Sequence, residues 1–303
     1  RSSDLLLTPE ERLDNMTIED WFGPHFFETN FWYMWQTTFA FQKWSSLFEF
    51  RRYMNRMIFE FPRIETLEGV TRTPYNQYES VILPLKAYLE TNGVRFETGR
   101  TVTDIDFAPG EALTATALHF ADGSAVDLRE GDVCIMTNAC MTDSATLGNL
   151  HAPAPAPERK PVSAELWAKV AAKRPGLGNP EPFFGNVNES NWESFTVTCK
   201  GNRLLKMIEN YSGNIPGSGA LMTFKDSSWC MSIVVAAQPH FKAQDPDTTI
   251  FWGYGLYTDH VGDYVKKPMR DCTGAEILKE LLHQLHWEEH QEEIMADVVN
   301  VLP

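Results

Sequence analysis

Between Trp21 and Phe61 this chain gathers 16 of its 37 aromatic residues into 41 positions. So much ring surface has to be folded away from water. Phe31, Trp35, Phe39 and Phe50, with Met54 and Met57, recur at helical spacing and predict one or two helices. Two readings of those helices stand side by side. One is a helical core. The other is the wall of a cavity for a large apolar ligand, since rigid rings bury much area at small entropic cost and line most pockets.

Downstream the period changes. Pro62 closes the helical stretch, Thr71 to Asn76 reads as a loop, and an amphipathic helix is predicted from Gln77 to Leu89, bent at Pro84 and stopped by Gly93. Val94 to Glu97, Thr101 to Phe107, Leu113 to Phe120 and Ala125 to Leu128 read as strands, with Ala121-Asp122-Gly123 as a hairpin turn. Val133-Cys134-Ile135-Met136 reads as a short buried strand opening into Thr137-Asn138-Ala139. A helix, a strand beginning Gly-Val, a meander and a buried strand ending in a polar loop is an order that recurs in flavoprotein dinucleotide-binding domains. Those domains begin with a strand and a Gly-x-Gly-x-x-Gly turn, whose helix-terminal amides hold the pyrophosphate. No segment here matches that turn. Gly213 to Gly219 is glycine-rich, but it lacks the third spaced glycine and a following Lys-Ser/Thr, so it reads as a structural loop.

Ala152-Pro153-Ala154-Pro155-Ala156-Pro157 is stiff and extended. It divides the chain into residues 1–150, a linker over 151–162, and residues 163–303. The second part carries helices near Ala164 to Lys173 and Asn202 to Glu209, and strands near Ala220 to Phe224, Trp229 to Ala237 and Thr249 to Tyr254. Its last helix opens on the capping-box pattern Thr273-Gly274-Ala275-Glu276 and carries an apolar stripe of Ile277, Leu278, Leu281, Leu282 and Leu285. His283, His286 and His290 read onto the same helix, the last two at metal-pair spacing. Trp287 stands where the metalloprotease motif needs Glu, and the surrounding glutamates read as a solvated face, so no metal is expected. The fold class is mixed α/β: part of a flavoprotein dinucleotide-binding fold with a β-meander, plus a helix-and-sheet substrate domain.

The formal net charge of −15 argues against nucleic acid as a partner, because phosphate backbones would repel the chain. Five cysteines without a Cys-x-x-Cys pair, mostly among apolar neighbours, read as buried thiols in a reducing compartment. No apolar run approaches the ~20 residues of a membrane-spanning helix, and no signal peptide is evident. A cytoplasmic protein is expected. The chain starts without Met and closes on the apolar Val298-Val299-Asn300-Val301-Leu302-Pro303, so both ends read as cut from a longer polypeptide.

The residues with the most chemistry are Tyr75-Asn76-Gln77-Tyr78-Glu79. Two phenols flank an amide pair at a helix start. Ordinary capping explains them; so does a phenolic proton donor facing an apolar cavity. A phenol near pKa 10 is a weak acid, so the second reading requires a nearby positive charge or strong hydrogen bonds. No Gly-x-Ser-x-Gly elbow supports a serine hydrolase.

Asn30 to Trp35, Phe48 to Met54, Tyr75 to Ser80, Pro216 to Ala220, Phe251 to Leu256 and Gly262 to Met269 together resemble the oleate hydratases, also called myosin-cross-reactive antigens. The matches run in order along nearly the whole chain. The resemblance implies an FAD-dependent hydro-lyase that adds water across the cis double bond of oleate, or of linoleate, with no net redox change. It implies a tyrosine proton donor, Tyr75 or else Tyr78, with Gln77 beside the substrate and Asn300 helping to hold its carboxylate. It places Val102, Thr137, Asn138 and Ala139 near FAD, although relatives tend to have Gly at the last position. The water-activating glutamate of the family has no counterpart in this sequence. A homodimer and peripheral membrane contact through regions outside these residues are compatible with the resemblance. Residues 1–150 would then hold part of the FAD domain and 163–303 the substrate domain. The chain alone is expected neither to hold FAD tightly nor to hydrate oleate. The competing classes are a lipid-binding module without catalysis and a flavin-dependent oxidoreductase sharing only the fold.

Overall fold

A computed structural model describes residues 2–303 except 65, 68, 139, 141, 157–160 and 219–220. It divides into two compact units: Leu85–Leu147 with Pro155–Val187, and Arg1–Pro84 with Gly148–Ala154 and Asn188–Pro303. The larger unit thus draws residues from both sides of the proline-rich segment. Residues 157–160 of the expected linker lie outside the described residues.

The smaller unit is a meander of three antiparallel strands in the order β1 (Val102–Phe107), β2 (Ala115–Phe120), β3 (Ala125–Asp127). The predicted turn between the last two forms. Asp122 accepts from the Ser124 N–H at 2.9 Å, and Gly123 takes a φ of +81°, which a side chain would resist. The helix Val162–Lys173 lies on the meander, and Leu166 and Val170 bury against Ile105. Two expected strands are absent. Val94 to Glu97 and Val133 to Met136 pair with nothing among the described residues, and Val133 and Ile135 are 83% and 82% exposed. An apolar run becomes a buried strand only when a neighbour satisfies its backbone and a second layer covers it, and among the described residues no strand lies beside either run.

The larger unit is built on a five-stranded sheet in the order β5-β6-β7-β4-β8, antiparallel throughout. Its strands are β4 (Glu193–Lys200), β5 (Met222–Thr223), β6 (Met231–Val234), β7 (Thr248–Gly255) and β8 (Val298–Leu302). The apolar C-terminal segment is therefore a strand, paired along β4 with Val301 buried. Alternation puts Phe195, Val197 and Cys199 on one face, against Leu204 and Ile208 of the helix Arg203–Ser212 and the apolar stripe of the helix Gly274–Gln284. Gly253 is needed on β7 because a Cβ there would meet Phe195 at 2.5 Å. The capping box of Gly274–Gln284 is present in both directions. That helix stops before His286, whose φ is +58°, and His290 belongs to a separate short turn. The three histidines thus do not share one helix, and no group of three metal-ligating side chains occurs among the described residues.

On the opposite sheet face, Tyr254 and Cys230 meet Tyr33 and Ala40 from the aromatic region. Here the helices Asn30–Phe39 and Leu47–Met57 form a core: Trp32, Trp35 and Phe50 are fully buried, and Trp35 packs on Phe31, Phe39, Phe50 and Phe61. The core reading of the aromatic stretch holds for these rings. Cys199, Cys230 and Cys272 are buried, and burial pushes their thiols up to about 12; Cys134 and Cys140 are exposed, against expectation. No helix among the described residues is long and apolar enough to cross a membrane.

Candidate active site

Tyr75 opens a turn whose polar groups are closely paired. The Thr73 hydroxyl donates to the Tyr75 carbonyl at 2.6 Å, and the Ser80 hydroxyl both accepts from the Tyr75 N–H and donates to its carbonyl, each at 3.1 Å. Asn76 accepts from the Glu79 N–H at 3.0 Å and donates back to the Glu79 carboxylate at 2.6 Å. Such reciprocal bonds satisfy the donors at a helix start. The chain then runs through a π-helical turn, Tyr78–Ile82, into the helix Leu83–Thr91. Pro84 follows directly on the π-helical turn, at the second position of Leu83–Thr91.

The turn is docked on a loop far away in sequence. Asn76 donates to the His240 carbonyl from its backbone at 2.9 Å and from its side chain at 3.2 Å. The Lys242 N–H donates to the Glu79 carboxylate at 3.0 Å. The loop is held in turn by two glutamines. Gln244 accepts from the His240 N–H at 2.7 Å and donates to Gln238 at 2.9 Å, and Gln238 bonds both backbone groups of Ile250 on β7. Burial holds the His240 imidazole below its ordinary value, against the opposing pull of Glu79. The Lys242 ammonium donates to the Glu79 carbonyl at 3.3 Å and stands 5.8 Å from the centre of the Tyr75 ring.

The two tyrosines differ. Tyr75 is half-buried inside this network, whereas Tyr78 is 60% exposed, as is much of Gln77. Asn300 lies on β8 opposite Thr198, which itself lies opposite Ile250. Two strand spacings put it about 10 Å along the same register row from Ile250, the residue that anchors the Tyr75 loop. Its side-chain amide oxygen accepts from the Leu150 N–H at 3.1 Å.

Val102, Thr137 and Asn138 come together in the smaller unit. They line a cleft of about 520 Å³ with Ile105, Leu118, Met136 and Leu166 as apolar lining. Ala139 lies outside the described residues. Asn138 donates to the Ser163 carbonyl at 2.9 Å. The cleft borders the N-terminus of Val162–Lys173, but the Ser163 N–H there already donates to the Asp143 carboxylate at 2.8 Å. A phosphate at that helix end would have to displace a like charge. These residues suit the neutral ring and ribose of a nucleotide and do not suit its pyrophosphate.

Sequence reasoning missed Lys242 and Glu193. Glu193 begins β4, and one of its carboxyl oxygens is buried with no hydrogen-bond partner among the described residues. Desolvation, with repulsion from Asp271, pushes it up to about 8. Its place at a strand start beside polar residues gave no signal of burial.

The arrangement defines a class: a mixed α/β protein with Tyr75 on a turn held through its backbone in one unit and a cleft of about 520 Å³ in the other. The chain belongs to the MCRA family, whose model matches residues 3–303. It is 42% identical to a linoleate hydratase of Lactiplantibacillus plantarum over 323 aligned residues, covering 97% of this chain and 56% of that protein. It is 35% identical to an oleate hydratase of Streptococcus pyogenes serotype M49 (strain NZ131) over 293 residues, covering 93% of this chain and 49% of that one. The chain thus spans about half the length of these relatives.

Proposed function

We propose that this chain supplies the proton-donor and substrate portion of a fatty acid double-bond hydratase acting on oleate or linoleate. The observation that carries the reading is that relatives named as hydratases of these two acids align with more than nine-tenths of the chain.

An isolated alkene is a poor base, so the acid must be positioned and the cation it creates must be stabilised by fixed dipoles. Tyr75 is the donor because the turn and the Gln238–Gln244 loop hold it, while Tyr78 faces water. The alkene π pair takes the Tyr75 proton, forming a C–H bond and leaving the phenolate. Water adds to the adjacent carbon, and its surplus proton returns to the phenolate, so the net change is addition of one water. Asn300 holds the substrate carboxylate through its free amide, and Gln77 borders the substrate. Val102, Thr137 and Asn138, which line the cleft, would hold the neutral part of FAD. When bound, FAD would organise the site electrostatically without net redox change. With Asp143 on the one helix end at the cleft, this chain alone would hold FAD weakly.

The test incubates the full-length protein with reduced FAD and oleate and reads product mass. A product heavier by one water supports the reading. Fatty acid retained unchanged would make the protein a binding module, and consumption of oxygen would make it an oxidoreductase.

A further inference from the structure

We propose that Lys242 is the positioning residue that makes Tyr75 a competent acid: its ammonium stabilises the negative charge that the phenol oxygen acquires as the proton leaves. The inference rests on the hydratase reading for its consequence but on geometry for its substance. A phenol that protonates an alkene needs a cation close by, and Lys242 Nζ stands 5.8 Å from the Tyr75 ring centre, within the range where a cation and an aromatic face attract. The distance is fixed at both ends. The Lys242 backbone is tied to the Glu79 carboxylate, and its ammonium is tied to the Glu79 carbonyl. Glu79 in turn is locked to Asn76, the residue after Tyr75.

The charge balance around the phenol supports the assignment. The turn contributes the Glu79 carboxylate, which already receives two hydrogen bonds, from Asn76 and from the Lys242 backbone. Arg72, before the turn, sends a guanidinium N–H to the Val70 carbonyl at 3.3 Å. The loop contributes His240 and Lys242, and burial favours the neutral form of the imidazole. Lys242 is therefore the cation that the docked loop brings to the Tyr75 ring.

The experiment compares Lys242→Met, Lys242→Gln and Lys242→Arg in the full-length protein. Removing one preorganised electrostatic partner should lower kcat by about 10- to 10²-fold with KM little changed. Arg should keep most of the rate. Gln retains a donor for the Glu79 carbonyl without the charge, so it should behave like Met. A Gln variant with wild-type kcat would reduce Lys242 to a turn anchor and overturn the proposal. Wild-type protein that forms no hydroxy acid would refute the hydratase reading and, with it, this role for Lys242.

Discussion

The aromatic core and the Val133–Asn138 segment carry similar apolar promise in sequence and meet opposite ends. Trp32, Trp35 and Phe50 are fully buried among one another, while Val133 and Ile135 stand in water. The difference is one of layers. Asn30–Phe39 and Leu47–Met57 face each other, and Asn30–Phe39 also meets a sheet, so their rings find partners. The 133–136 run has the meander and one helix nearby and no strand beside it among the described residues. Apolar residues show what a segment would bury; the neighbouring elements decide whether it does.

The largest expected effect breaks the closed region. Trp35→Ala removes a ring that touches Phe31, Phe39, Phe50 and Phe61 and should cost about 3–5 kcal/mol. Chemical denaturation measures it, and a loss under about 1 kcal/mol would mean that the rings line an adaptable cavity after all.

Glu193 comes next. Its carboxyl is raised in the folded protein, so between about 4.5 and about 8 the folded state keeps a proton that the unfolded state has lost. Stability therefore falls as pH rises through that window. Glu193→Gln should remove the slope, leaving the variant similar to wild type near pH 4.5 and more stable by on the order of a few kcal/mol at pH 8. Parallel denaturation curves at both pH values for the two proteins would refute the burial argument.

The third comparison lies within one turn. Tyr75→Phe keeps the ring and removes the donor, so hydration by the full-length protein should fall by ~10²-fold or more with little change in Tm. Tyr78→Phe should leave turnover within about twofold, since an exposed surface substitution seldom matters. Equal losses in the two variants would erase the distinction drawn from burial.

These sites also show how far the sequence could be read. Local periodicity was sufficient for the helices at Asn30–Phe39, Val162–Lys173 and Gly274–Gln284 and for the meander, because each depends on neighbours in the chain. The Tyr75 turn was visible as a polar cluster. Its cation was not, because Lys242 meets Glu79 across 163 residues, through a loop whose shape depends on Gln238 and Gln244. His286 was misplaced because a left-handed residue just past Leu285 ends a helix that the glutamates appeared to continue.

The smallest expected effect tests the open region. Ile135→Ser removes an apolar side chain that is already 82% exposed, so folding gains almost nothing from burying it. The change in stability should stay within about 0.5 kcal/mol, the usual range for surface positions. Solubility should rise, because a β-branched residue in an unpaired extended run invites association with another chain. Static light scattering on the variant and on Val133→Ser measures that directly. A loss of more than about 1.5 kcal/mol in either variant would mean that the segment is packed in solution, and the contrast with the aromatic core would then fail at its open end.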